Sequence, residues 1–89
     1  MMSNLLSEDL QWDIIEALEE VHPRHLTLDE FRGDFGEIDD NMMLVNVIQL
    51  IEDGIINPKA IIRLVKGPTV NITALLLTPY GYQLAQSGD

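Results

Sequence analysis

His22 and His25 are the side chains of this sequence best suited to ligating a metal ion, since they flank Pro23 and Arg24 in one short loop. A metal site needs at least a third ligand, and Asp and Glu are so plentiful that none of them is singled out. Cysteine is absent, which excludes thiolate metal sites, cysteine nucleophiles and disulfide bonds. We therefore predict no metal site and no cofactor.

Serine is the remaining residue type that could act as a nucleophile. The chain contains three serines, and all of them lie near its ends, at Ser3, Ser7 and Ser87. None stands in the strand-to-helix elbow that exposes a catalytic serine, and no glycine-rich loop is present to hold a phosphate. The carboxylates line a helix face, where such groups are ordinarily solvated. We predict no catalytic residue and no enzymatic activity.

The charge of the chain is strongly uneven. Its net charge is −10. Residues 1–57 contain 14 acidic and 2 basic residues, whereas residues 58–89 contain 1 acidic residue and 3 basic residues, Lys59, Arg63 and Lys66. We therefore expect two electrically different faces on one domain. The acidic excess argues against ordinary binding to a nucleic-acid backbone, which requires a basic face.

Length and composition indicate one small globular domain. The chain has 89 residues, of which 46% are apolar and 22% charged. Apolar runs all stay below the roughly 18 residues of a membrane span. The first eight residues contain no cationic segment, so we expect no secretory signal there and place the protein in the cytoplasm.

Helical periodicity and capping residues predict four helices. They lie near residues 7–21, 28–35, 40–53 and 79–86. Ser7 is suited to cap the first helix, Thr27 and Glu30 form a capping box for the second, and Gly54 ends the third. In the third helix the pattern predicts one apolar arc that faces the core. Its members are Met43, Leu44, Val47, Ile48, Leu50 and Ile51.

Between the third and fourth predicted helices, apolar and polar residues alternate with the period of two that is typical of β-strands. Residues 61–76 predict a β-hairpin, with turn chemistry at residues 66–69. A short extra strand at His25 and Leu26 is expected to pair with this hairpin.

Two segments resemble parts of the winged helix-turn-helix family. Residues 48–56 resemble the end of its third helix and the exit to the wing, and residues 72–84 resemble the second wing strand and the entry to a closing helix. The resemblance implies an α+β fold, mostly α: a single winged helix-turn-helix domain with three helices, a β-hairpin wing and a short C-terminal helix. Within the family, the chain is most similar to small phage- or prophage-associated bacterial proteins.

The third helix departs from the pattern of DNA-binding members, in which this helix enters the major groove and brings Arg or Lys. Residues 39–53 contain no basic residue. Four residues, Met42, Val45, Asn46 and Gln49, lie outside the predicted core arc, and this mixture of apolar and uncharged polar groups suits a contact with a protein. The same four also fit the ordinary interpretation of scattered surface residues.

Trp12 lies among carboxylates on the first helix, opposite the apolar arc. Two interpretations stay open: Trp12 covers a neighbouring segment within the monomer, or it anchors a homodimer, since Trp is enriched at interfaces.

These observations rank three functions. The leading hypothesis is a non-enzymatic regulatory module that binds a protein partner of unknown identity through Met42, Val45, Asn46 and Gln49. The alternative is a transcriptional regulator that contacts DNA mainly through Lys59, Arg63 and Lys66. A third hypothesis is a nucleic-acid mimic, in which the six carboxylates of the first helix imitate phosphates.

Overall fold

The computed structural model describes residues 5–88 and arranges them as four α-helices and a two-stranded hairpin. The elements are α1 (Glu8–Val21), α2 (Leu28–Phe35), α3 (Asp40–Glu52), β1 (Ile61–Leu64), β2 (Gly67–Val70) and α4 (Pro79–Ser87). Short 3-10 turns at Pro58–Ala60 and Ile72–Ala74 flank the hairpin. The predicted α+β class with mostly helical content is confirmed, and the order of elements is consistent with a winged-helix-like topology.

Each α-helix of this structure begins beside a side chain that caps its first turn, because the first N–H groups of a helix have no partner within it. The capping residues are Ser7, Thr27, Asp39 and Thr78. At α2 the cap is reciprocal. Thr27 Oγ1 accepts from the N–H of Glu30 at 3.1 Å, and the N–H of Thr27 donates to Glu30 Oε1 at 2.9 Å. The predicted helix starts are confirmed to within one residue.

The turn of the hairpin differs from the prediction. β1 and β2 pair antiparallel, from Ile61 opposite Val70 to Leu64 opposite Gly67. The prediction of a turn at residues 66–69 is therefore wrong, because only the two residues between Leu64 and Gly67 form it. Gly67 has a φ of 122°, which a residue without a Cβ adopts readily, so β2 begins directly after this short turn.

The second strand is also shorter than predicted. β2 ends at Val70, and residues up to 76 do not continue it as the sequence pattern indicated. Asn71 instead begins a 3-10 turn: its Oδ1 accepts from Thr73 Oγ1 at 2.8 Å, and its main-chain oxygen accepts from the N–H of Ala74 at 3.1 Å. Such local bonds compete with strand pairing and redirect the chain towards α4.

The prediction of an extra strand at His25 and Leu26 is wrong, since no described strand or bridge includes these residues. An isolated antiparallel bridge forms elsewhere, between Ile56 and Leu77, and joins the exit of α3 to the entry of α4. Main-chain hydrogen bonds of 2.9 and 3.0 Å flank this bridge. Leu26 is 2% exposed and contributes its side chain to the core rather than its backbone to a sheet.

The core is formed by apolar side chains of α1, α3, α4 and the segments that connect them. Its most deeply buried apolar members are Ile14, Leu18, Val47, Leu50, Ile56 and Leu75. Within residues 5–88, every helix is too short or too polar to reach across a lipid bilayer.

Candidate functional site

Asn46, in the middle of α3, is completely buried and forms four hydrogen bonds. Its Oδ1 accepts from the main-chain N–H of Ser7 and from Gln11 Nε2, both at 2.9 Å. Its Nδ2 donates to the main-chain oxygens of Leu5 at 2.9 Å and of Met42 at 2.7 Å. Because both polar atoms of the amide have partners, its burial is stable, and it joins α3 to the start of α1.

These bonds determine which side of α3 faces the core. The buried side chains of α3 are Met43, Asn46, Val47 and Leu50. At 100° per residue, the centre of this buried side lies roughly 70° from the centre of the apolar arc that the sequence pattern predicted. Leu44 and Ile48 therefore leave the core side and join Val45 on the outward side of the helix.

Leu44, Val45 and Ile48 form an outward apolar stripe, which we call the α3 stripe. All three are half-buried, and they are absent from the half-buried apolar side chains that pack against the described core. An amphipathic helix normally has a single apolar face, and that face is turned inwards. The α3 stripe is therefore a second apolar side of the helix, which is only partly covered within residues 5–88.

The structure places the four residues of the predicted partner surface in different environments. Val45 lies in the α3 stripe. Asn46 is completely buried, so the expectation that it belongs to an exposed surface is wrong, whereas Met42 is half-buried and packs against the core. Gln49 lies at the edge of the outward side, where its Nε2 donates to Asp53 Oδ1 at 3.1 Å.

Leu44 and Ile48 are the residues of the outward side that the sequence pattern missed. A helical wheel assigns Leu and Ile to the core because they are the most apolar members of the helix. Leu44 and Ile48 lie on the outward side because Asn46 turns the helix by its bond to Ser7, which is 39 positions away in the sequence. No pattern within α3 reveals such a partner.

A groove of about 290 Å³ continues the α3 stripe between α2, the start of α3 and β2. Its apolar lining consists of Phe31, Phe35, Ile38, Met43, Leu44, Pro68, Val70 and Ile72. Asp40, Asn41 and Thr69 supply its polar lining. Leu44 belongs to both the groove and the α3 stripe, so the two are contiguous, and the accessible lining of the groove is about equally polar and apolar.

The charges of α3 are all negative. The helix carries Asp40 and Glu52 and no Lys or Arg, and Asp53 caps its C-terminal end. These carboxylates lie at the two ends of the helix and leave the α3 stripe uncharged. A phosphate backbone would meet only repulsion along this helix.

The wing, defined as residues 59–70, combines cations with exposed apolar side chains. The side chains of Lys59, Arg63 and Lys66 are all exposed. Ile62 is 38% exposed and Leu64 56%, while Val65 at the turn is fully exposed. Within residues 5–88 the one ion pair is that of Arg24 with Glu30, so no described carboxylate forms an ion pair with a wing cation.

An acidic groove lies between α1 and α2. Its lining residues are Asp13, Glu16, Ala17, Glu20, Asp34 and Phe35. All four carboxylates are exposed, whereas Phe35 is buried and Ala17 half-buried, so the accessible lining of this groove is mainly carboxylate.

Glu30 is the described carboxylate with an ion-pair partner. Arg24 donates from both terminal nitrogens to its oxygens, at 2.8 and 2.9 Å. This bidentate contact and the N–H of Thr27 favour the charged form, and they lower the pKa of the Glu30 carboxyl from 4.5 to about 2. One of the two cations of residues 1–57 is thereby engaged within the chain, which leaves only Arg32 to offset the remaining acidic groups.

Trp12 covers the end of α4 within the monomer. A Cβ built on Gly88 would lie 2.9 Å from the Cη2 atom of the Trp12 ring, so the ring is close to this part of the backbone. Trp12 nevertheless remains 39% exposed. Its role as a dimer anchor stays a prediction.

His22 and His25 do not converge on a shared ligand position with carboxylates. The His22 ring stacks on Tyr82 with the ring centroids 4.2 Å apart, and His25 Nδ1 lies 2.7 Å from the main-chain oxygen of Leu26. Among residues 5–88, no group of three or more His, Asp or Glu side chains is arranged to hold a metal ion.

Comparison with family models, with curated proteins and with solved structures finds no match to this chain. Any functional argument therefore rests on the residues and surfaces described above.

Proposed function

We propose that this domain is a non-enzymatic winged-helix module of regulatory type, from a bacterium or a phage, that acts in the cytoplasm by binding another protein. The observation that supports this proposal is the α3 stripe. It lies on the helix with which DNA-binding winged helices read bases, yet it is apolar and the helix itself carries no Lys or Arg.

The chemistry of this surface suits a protein interface. Interface centres are depleted in charge and enriched in apolar groups, whereas their rims are polar. Leu44, Val45 and Ile48 would form the centre, with Asp40 and Glu52 at the two ends as the rim. Full burial of such a side chain contributes about 1.5–3 kcal/mol, so three half-buried ones supply part of a micromolar affinity.

The experiment is quantitative affinity capture from the source cell with the wild-type domain, Val45→Asp and Ile48→Asp. Each substitution places an unpaired carboxylate in an apolar contact, which costs a few kcal/mol, so we expect at least about tenfold less of the bound protein. Gln83→Asp is the matched control, because it makes the same charge change at an exposed position of α4. Full capture by both α3 variants would contradict the proposal.

A second candidate function is DNA binding through the wing, which is favoured by the exposure of Lys59, Arg63 and Lys66. Three phosphate contacts would give a log–log salt dependence with a slope of only about −2.7. Gel shifts at low salt test it: Arg63→Glu with Lys66→Glu should then abolish retention of the duplex. No retention by the wild type at low salt would exclude this function.

The nucleic-acid mimic is a third candidate, since the carboxylates of Asp13, Glu16 and Glu20 are exposed on α1. Replacing these three by their amides should abolish inhibition of a DNA-binding partner if the domain is a mimic. The same variants should retain partner capture if the α3 stripe is the contact.

A further inference from the structure

Three large apolar side chains are exposed at the tip of the wing. Ile62 and Leu64 lie on one face of β1 and Val65 lies in the hairpin turn, and all three are exposed large apolar side chains. Single exposed apolar residues are ordinary, but three together at a projecting tip mark a contact surface. This surface is separate from the α3 stripe.

The charges beside this tip are opposite to those of the rest of the domain. Lys59, Arg63 and Lys66 lie within a protein whose net charge is −10. None of them has an ion-pair partner among residues 5–88. The occupant of the wing must therefore offer carboxylates or phosphates together with some apolar surface.

We propose that the wing of one copy docks into the acidic groove between α1 and α2 of a second copy. The groove has the complementary chemistry on both counts. Its carboxylates, Asp13, Glu16, Glu20 and Asp34, match the wing cations in sign, and the half-buried Ala17 between them offers the apolar tip a small apolar contact. These carboxylates also have no ion-pair partner among residues 5–88.

Contact with a second copy relieves a repulsion that the monomer contains. Glu16 and Glu20 stand one turn apart on α1, and like charges at this spacing destabilise a helix. A cation placed between them reverses the sign of that interaction.

The contact joins two different surfaces, so it is heterologous. The wing of the first copy and the groove of the second are used, while the groove of the first and the wing of the second stay free. Association should therefore grow with concentration instead of stopping at a symmetric dimer. The α3 stripe takes no part, so this inference and the proposed function can fail independently.

Sedimentation velocity over a concentration series tests the inference with two double variants. One reverses the wing (Arg63→Glu with Lys66→Glu) and the other reverses the groove (Glu16→Lys with Glu20→Lys). In about 0.15 M salt, the Debye length of about 8 Å screens the overall repulsion but leaves contact pairs in place. We expect the wild type to associate and each variant alone to associate at least about tenfold more weakly. An equimolar mixture of the two variants should regain association, because the reversed wing fits the reversed groove and the native wing of one variant fits the native groove of the other.

Matched controls separate this contact from effects of net charge. Arg32→Glu and Glu37→Lys make the same kinds of charge change at exposed positions outside the wing and the acidic groove, and they should leave association unchanged. Val65→Ser should weaken association without altering any charge. Trp12→Ala should have no effect, whereas a loss of association in this variant alone would assign the contact to Trp12 instead.

Three results would overturn the inference. The first is a wild type that stays monomeric at the highest concentration. This result overturns the inference whether or not the monomer retains a labelled DNA duplex through its wing. The second is association of the reversed variants equal to that of the wild type. The third is a mixture of the two variants that stays monomeric while each is folded by circular dichroism.

Discussion

At the scale of single residues, Asn46 has the largest influence on the candidate site. Its side chain is the only buried polar one in the described part of the chain, and it binds the first turn of α1 through Ser7 and Gln11. Removing it would leave the N–H of Ser7 and the amide of Gln11 without this acceptor. A buried donor without a partner costs more than an average hydrogen bond contributes.

We predict that Asn46→Ala lowers the free energy of unfolding by about 2–4 kcal/mol, from unsatisfied partners and the cavity together. Urea unfolding followed by circular dichroism measures it. Gln49→Ala is the control on the same helix, because its amide bonds only to Asp53 near the surface, and it should change stability by less than about 0.5 kcal/mol. Equal stabilities for the two variants would show that the Asn46 bonds do not hold α3 in its orientation.

At the scale of elements, α4 approaches the exit of α3 closely at Gly81. Gly81, in the first turns of α4, is buried, and a Cβ on it would overlap the main-chain oxygen of Ile55. Thr78 reinforces this junction: its Oγ1 donates to the main-chain oxygen of Gly54 at 2.5 Å, and it accepts from the N–H of Gly81 at 2.9 Å. The glycine is needed because two backbones meet there.

We predict opposite effects of alanine at two helical glycines. Gly81→Ala should destabilise the fold by at least about 2 kcal/mol, because the clash is with backbone and cannot be relieved by a rotamer change. Gly33→Ala in α2 should stabilise it by about 0.5–1 kcal/mol, since that position is exposed and a Cβ there meets nothing within 4 Å. Thermal unfolding of the two variants is the measurement, and a stable Gly81→Ala protein would contradict this account of the junction.

The starts of the helices could be predicted from the sequence, whereas the orientation of α3 and the length of β2 could not. Caps such as Thr27 and Thr78 act within three residues, so the helix starts followed from the sequence. The side of α3 that faces the core depends on Ser7, and the length of β2 depends on local bonds at Asn71, where an alternating pattern suggested a strand. The sequence placed Val45 outside the core arc and a basic cluster on the wing, whereas the positions of Leu44 and Ile48 required the structure.

At the scale of the whole molecule, the separation of charge is the dominant property. The acidic α1 and α2 face each other across a groove, while the wing cations point into solvent. The sequence alone predicted this polarity, because the sign of charge changes at residue 58 and the elements divide there too. Self-repulsion of this kind lowers the stability of a compact state.

We predict that adding NaCl from low concentration to about 0.5 M raises the free energy of unfolding by about 1 kcal/mol. Screening of a few like-charge pairs on α1, each worth 0.2–0.5 kcal/mol, accounts for this magnitude. Urea titrations at several salt concentrations measure it. A fall in stability over this range would mean that attractive pairs outweigh repulsive ones in the folded domain.

The proposal that the domain binds a protein through the α3 stripe is tested most directly by methyl NMR with the captured partner. The account predicts that the methyl signals of Leu44, Val45 and Ile48 shift or broaden when the partner is added, while those of Ile62 and Leu64 on the wing keep their positions. Perturbation confined to the wing methyls, with the three signals of the α3 stripe unchanged, would contradict it.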